Sequence, residues 1–220
     1  MPRARTPGGA SPGPPPAGPG EPAWDAIVLA GGQGRRLGGV DKAAVTVGGH
    51  SLLERVLRVL ATGYPAFGGV VVVGPDRPEL AGAGVLMTRE EPPGGGPVAG
   101  IAAGLAEVRA PLVAVLAVDM PFLDGARLAE LRAAVTGPAG PTVDAAVLVD
   151  PDGRAQTLAA VWRSAALRAA LPPRPAGAAV RTLLADRAVA RVPADALSCL
   201  DCDAAQDVAA ARAAAARFGR

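Results

Sequence analysis

The residues best able to do chemistry are packed into one short stretch, LAGGQGRRLGGVDK, from Leu29 to Lys42. It holds five glycines, two arginines, one aspartate and one lysine, directly after the apolar run AIVLA. Glycine lets a backbone approach a ligand closely and adopt positive φ. Successive N–H groups at the end of a strand form a concavity that suits phosphate. Arg36 and Lys42 add cations, and a guanidinium can contact phosphate oxygens in a bidentate way. The stretch therefore reads as a phosphate-holding loop. Two familiar phosphate loops do not fit it. G-x-G-x-x-G meets Gly32 and Gly34 but fails at Leu37, which argues against a dehydrogenase. G-x-x-x-x-G-K-[ST] fails because Lys42 follows Asp41 and precedes Ala43.

A second group of candidates lies downstream. Asp119 closes PLVAVLAV, the most apolar strand-like run in the chain, and an acid there is costly unless it is used. Asp201 and Asp203 stand before an alanine-rich final segment, either as helix caps or as further carboxylates for a site. Asp41 is open between merely orienting the loop, by pairing with a neighbouring arginine, and a functional role, and Arg35 is open between solvent and ligand. Gln156 either bonds backbone inside a hairpin or touches substrate. His50 reads as a surface residue just before a helix. Cys199 and Cys202 form a C-x-x-C pair, but a zinc site needs further ligands and His50 is the only histidine. Two reduced structural thiols are the expectation.

Positioning these groups requires a scaffold, and the apolar patterning supplies one. DAIVLA, GVVVVG, GVLMT and PLVAVLAV read as buried strands, the second continuous and β-branched as in a sheet covered on both faces. SLLERVLRVL, GPVAGIAAGLAEV and DGARLAELRAAV alternate with them as helices. DAAVLV and RAQTLAAVW, joined by DPDGR, read as a hairpin. A helix near SAALRAAL, a short one near AVRTLLAD, a strand near AVARV and a helix from about Ala204 complete the chain. The expected fold is a single-domain, three-layer α/β structure, mostly parallel, with an antiparallel addition at one edge. Ligands of such sheets bind beyond the carboxyl ends of the strands.

Bulk properties narrow the functions. The chain has 220 residues, 50% of them hydrophobic, enough for one domain with a sizeable core. A net charge of +2 and 3% aromatic residues argue against nucleic acid as a partner. No apolar run is long enough to cross a bilayer, so no membrane association is expected. Residues 1–22 are rich in proline and glycine and lack an apolar segment after their basic residues, so they read as a disordered tail rather than a secretory signal. The domain is expected over residues 23–220, and the protein in the cytoplasm.

The loop resembles the signature of molybdenum cofactor guanylyltransferases, within the broader L-A-G-G-x-x-x-R-x-G…K core of MobA-like NTP transferases. GGGPVAGIAAGL is similar to the family's G-P-x-A-G-[IL] segment, VLAVDMPFL to its strand ending in D-M-P, RAQTLAAVW to its Q-P-L segment, and LDCDAAQDVAAAR to its closing segment. They occur in the family's order. The resemblance implies a Rossmann-like fold and transfer of GMP from GTP to the terminal phosphate of molybdopterin, with release of pyrophosphate. It implies catalytic roles for Arg36, Lys42 and Asp119. It implies nucleotide contacts from Leu29, Ala30, Gly31, Gly32, Lys42, Glu91 and Asp119. Mg²⁺ would be held by Asp119, with Asp201 or Asp203 as a further carboxylate. Transient contacts with proteins that deliver or accept the cofactor fit this reading, which leaves the oligomeric state open. There are departures: Ala204 and Ala205 stand where Thr-Pro is common, Thr157 replaces a proline, and Gly74 replaces an asparagine. Between Glu90 and Glu91, Glu91 is preferred for the family's acidic position because it directly precedes the proline- and glycine-rich run. The alternatives are a cytidylyltransferase for the same cofactor or another phosphate acceptor, and a non-catalytic nucleotide-binding module. The module would be marked by loss of Lys42 or Asp119, and both are present.

Overall fold

The computed structural model describes residues 22–32, 37–62, 67–138 and 142–218. Residues 1–21, nearly all of the expected tail, lie outside that description, as do Arg35 and Arg36.

The apolar runs do become strands. β1 (Trp24–Leu29), β4 (Phe67–Val73), β5 (Val85–Thr88) and β6 (Leu112–Ala117) pair in parallel. The hairpin of β7 (Ala145–Val149) and β8 (Ala155–Arg163) joins this parallel core at β6, with β8 antiparallel to both β6 and β7. β9 (Val189–Pro193) then runs parallel to β7. The seven-stranded order is β5-β4-β1-β6-β8-β7-β9. Thr46–Val47 (β2) and His50–Ser51 (β3) make a separate two-stranded ribbon that sequence patterning did not suggest, because two residues per strand carry no period.

Helices α1 (Leu52–Leu60), α3 (Gly125–Thr136) and α5 (Ala205–Phe218) cover one face; α2 (Pro97–Glu107) and α4 (Ser164–Ala170) cover the other. The period-2 geometry of a strand divides the core accordingly. In β6, Leu112, Ala114 and Leu116 pack with the first set, while Val113 and Val115 pack with the second. The region of AVRTLLAD forms a 3₁₀ turn, Val180–Leu184. In α2, a Cβ at Gly104 would lie 2.7 Å from Ile27 Cγ2, so glycine there lets the helix sit directly on β1. Among the described residues, no helix is long and apolar enough to cross a membrane.

The strand order fixes where a ligand can enter. From β1 the chain passes to β4 and β5 on one side, then returns to place β6 on the other. The crevice between the carboxyl ends of β1 and β6 is thus a topological switch point, where open α/β sheets bind their ligands.

Candidate functional site

Leu29 and Asp119 stand on either side of that switch point, because β1 and β6 pair in register with Leu29 opposite Ala117. Past β1, the Ala30 N–H donates to the Val73 carbonyl at 2.7 Å, which draws the ends of β1 and β4 together. A Cβ at Gly74 would meet the Ala30 carbonyl carbon at 2.9 Å, so this close approach leaves room only for glycine. The chain then runs through Gly31 and Gly32, both exposed, toward Gly38 and Gly39, whose φ angles are +74° and +82°. Positive φ in consecutive residues is a conformation that glycine adopts without steric strain.

The loop ends at Asp41, whose Oδ1 accepts from the Ala43 N–H at 3.1 Å and so caps a 3₁₀ turn over Lys42–Ala44. This turn sends the Lys42 side chain toward β6, where Nζ donates to Asp119 Oδ2 at 2.9 Å. The same ammonium makes a second hydrogen bond, to Asp203 Oδ1. Burial opposes its charge, but Asp119 and Asp203 outweigh that penalty and hold the Lys42 pKa above the ordinary lysine value. The side chain is only 11% exposed, so Lys42 is a fixed cation between two carboxylates.

Asp203 arrives from 161 residues away because the closing segment docks beside Asp119: the Cys202 N–H donates to the Asp119 carbonyl at 2.9 Å. Where the usual Thr-Pro cap is absent, Asp207 substitutes by accepting from the Ala204 N–H at 2.7 Å. Asp201 lies near the same acids. Its partial burial, then the charges of Asp203 and Asp119, push its carboxyl above the usual range. Among the described residues no group of three or more histidine, cysteine or acidic side chains is arranged to hold a metal. Two carboxylates over one lysine nonetheless suit a hard cation that takes one or two protein oxygens and completes its shell with water and phosphate.

A cavity of about 440 Å³ opens between these groups, within the range that holds small-molecule ligands. Leu29, Gly31, Gly32, Lys42 and Asp119 form one side, and Pro97, Gly100 and Leu158 supply apolar surface. An adjoining cavity of about 450 Å³ contains Ala30 and Asp41 and shares Gly31 and Gly32 with the first. Six of the seven residues expected to contact nucleotide line these two cavities, the exception being Glu91. Glu90, not Glu91, lines both. The Glu90 carboxylate accepts from the Gly94 N–H at 2.9 Å, which turns it inward, whereas Glu91 is exposed. Adjacency to the glycine run, the ground for preferring Glu91, says nothing about which way a turn points its side chains, and here Glu90 is the one that faces the cavities.

The largest omission from the sequence reading is Arg77. Its guanidinium is 5% exposed and donates to both Asp41 oxygens, at 2.9 Å each. Nη2 also donates to the Ala30 carbonyl at 3.2 Å. Asp41 does pair with an arginine, one from beyond β4; the loop's own Arg35 and Arg36 lie outside the described residues. The only signal was a cation four residues after Val73, in GPDRP, and many surface arginines look the same.

Other candidates fall outside the cavity. Gln156 donates to Asp150 Oδ2 at 3.2 Å, within the hairpin turn. His50 belongs to β3 and borders a different cavity, with Arg55 and Phe122. Cys199 and Cys202 are buried free thiols, and burial pushes the Cys202 pKa to about 11, so neither behaves as a reactive thiolate.

Comparison with known proteins agrees with this geometry. Residues 26–192 match the model of the MobA-like NTP transferase domain. A probable molybdenum cofactor guanylyltransferase of Natronomonas pharaonis is 40% identical over 103 residues, spanning 44% of this chain and 50% of that protein. A molybdenum cofactor guanylyltransferase of Burkholderia orbicola is 34% identical over 182 residues, spanning 80% and 79%. The crystal structure of molybdopterin-guanine dinucleotide biosynthesis protein A from Archaeoglobus fulgidus superposes with a TM-score of 0.65 at 22% identity, covering 88% of this chain and 99% of that one. With a glycine loop leading into a lysine, an acid at the end of β6 and this match over most of the folded region, the chain belongs to the MobA-like NTP transferase domain family of nucleotidyltransferases.

Proposed function

We propose that the protein transfers GMP from GTP to the terminal phosphate of molybdopterin. An acceptor phosphate oxygen attacks the α-phosphorus of GTP; the new P–O bond forms as the bond to pyrophosphate breaks. No side-chain nucleophile is required, because the attacking atom belongs to the substrate. The observation that carries this reading is the Lys42 ammonium, held between Asp119 and Asp203 at the switch point and facing the glycine loop. It is supported by the relatives named as guanylyltransferases for the molybdenum cofactor.

In this reading the backbone of Ala30, Gly31 and Gly32 borders the nucleotide, and Leu29, Gly100 and Leu158 exclude water from its apolar parts. Lys42 neutralises phosphate oxygens as charge builds on the departing pyrophosphate, a task suited to a preorganised cation in a partly buried site. Arg36, whose placement is not described, would make a second such contact from the loop. Asp119, with Asp203 or Asp201, would hold Mg²⁺, which when bound supplies Lewis-acid stabilisation of phosphate charge. Contacts with proteins that supply or take up the cofactor, and a cytoplasmic location, belong to the same reading.

The test is Mg²⁺-dependent pyrophosphate release from GTP, CTP, ATP and UTP, each with and without molybdopterin, with Asp119→Ala as control. Release from GTP alone, dependent on molybdopterin and lost in the control, is the expected result. Preference for CTP would make the protein a cytidylyltransferase, and no acceptor-dependent release from any of the four would refute molybdopterin as the acceptor.

A further inference from the structure

We infer that Arg77 is a positioning residue that clamps both ends of the phosphate loop and thereby sets the place of Lys42. This rests on the reading that the loop holds the nucleotide's phosphates. Through Nη2 its guanidinium holds the Ala30 carbonyl, where the loop leaves β1, and through both terminal nitrogens it holds the Asp41 carboxylate, where the loop ends. Asp41 in turn caps the turn that begins at Lys42. The chain of contacts therefore runs from Arg77 through Asp41 to the 3₁₀ turn and on to the Lys42 ammonium between Asp119 and Asp203.

Stability alone is a poor account of this arrangement. The Asp41 side chain is 42% exposed, and an ion pair screened by solvent on one side contributes little net stability. Arg77 Nε, moreover, is buried with no hydrogen-bond partner among the described residues. What the guanidinium provides is geometry. A planar fork can hold a carboxylate with two parallel bonds and still reach a carbonyl, whereas a lysine ammonium is a single flexible point charge. The fork is held from a third side by Glu79, at 3.5 Å from Nη1. It is anchored just beyond β4, outside the loop it organises.

The experiment compares wild type with Arg77→Lys, Arg77→Met, Asp41→Asn and the double variant Asp41→Asn/Arg77→Met. Amide hydrogen exchange is read over residues 37–45 and over β6, and kcat and KM are measured for the nucleotide and for the acceptor. Arg77→Lys is expected to keep the protection of β6 but to speed exchange at 37–45 about tenfold or more. It should raise KM for the nucleotide while leaving KM for the acceptor unchanged, and kcat/KM should fall by about 10-fold to 100-fold. Asp41→Asn should reproduce both effects, and the double variant should be no worse than Arg77→Met within about threefold, the mark of one shared interaction. A merely structural arginine would speed exchange throughout the sheet and lower kcat through loss of folded enzyme, with nucleotide KM unmoved. That pattern, unchanged exchange at 37–45, or multiplicative effects in the double variant would overturn the proposal. If wild type turns over none of the triphosphates, the substrate reading falls, and the exchange data still decide the clamp. Should Arg77→Met not fold, Arg77→Lys and Asp41→Asn carry the test, Asp41 being exposed.

Discussion

Lys42 is the residue on which the site turns. Its ammonium is held by Asp119 and Asp203, so removing it both deletes the proposed phosphate partner and leaves two acids facing each other. Lys42→Met is expected to lower kcat/KM by about 10² to 10³, the usual cost of one preorganised electrostatic partner. Pyrophosphate release checks this, and a loss below about tenfold would remove Lys42 from the transition state. At the thiols the expectation is inertness. Cys202 is fully buried with its pKa near 11, so a maleimide at pH 7 should leave it unmodified in folded protein and label it after urea unfolding.

At the scale of elements, α1 and α2 invite opposite tests. Ser51 accepts from the Glu54 N–H at 3.1 Å and Glu54 from the Ser51 N–H at 2.7 Å, a full capping box for α1. Ser51→Ala should cost about 1 kcal/mol in urea unfolding. In α2, a Cβ at Gly100 would lie 3.1 Å from Leu29 Cδ2, and Leu29 lines the cavity proposed to take the nucleotide. Gly100→Ala gains up to about 1 kcal/mol of helix propensity, so stability should hold. The displaced Leu29 should instead raise KM for the nucleotide, which steady-state kinetics would show. The turn before the closing segment gives a pH test. Asp195 accepts from the Ser198 N–H and hydroxyl, and these bonds hold its carboxyl below the usual range. A carboxyl lowered in the folded state stabilises above its unfolded pKa, near 3.8 for aspartate, and loses that contribution as pH falls through the folded value. The stability gap between wild type and Asp195→Ala should therefore be full at pH 7 and shrink below about pH 4.

For the whole molecule, the sheet carries two cores and ends in two edge strands, β5 and β9. Leu116, at the centre of β6, is fully buried, whereas Leu86 on edge strand β5 is 45% exposed. Leu116→Ala should cost about 2–5 kcal/mol. Leu86→Ala should stay within about 0.5 kcal/mol. Equal losses in denaturant titrations would contradict the assigned strand order. The same order explains how distant chain segments share one site, since β1, β4, β5 and β6 bring their carboxyl ends to one rim. Asp203 joins that rim only because α5 packs Val208, Ala211 and Ala215 into the core on the α1 and α3 face.

Local pattern in the sequence was enough to determine the seven strands of the main sheet, the major helices and the hairpin, and to mark Leu29–Lys42 as the candidate loop. Each of these rests on near-neighbour physics: alternation of apolar residues, glycine's freedom and the reach of capping side chains. The choice of Asp119 also came from sequence, since an acid ending a buried strand carries its own signal. Only the tertiary structure decided that Glu90 rather than Glu91 faces the cavity, because a turn's side-chain direction depends on contacts such as that with Gly94. It alone brought Asp203 to Lys42 and placed Arg77 under the loop. Those contacts span 161 and 36 positions, and pairing at such separations is set by strand order and helix packing, which no short window of residues contains.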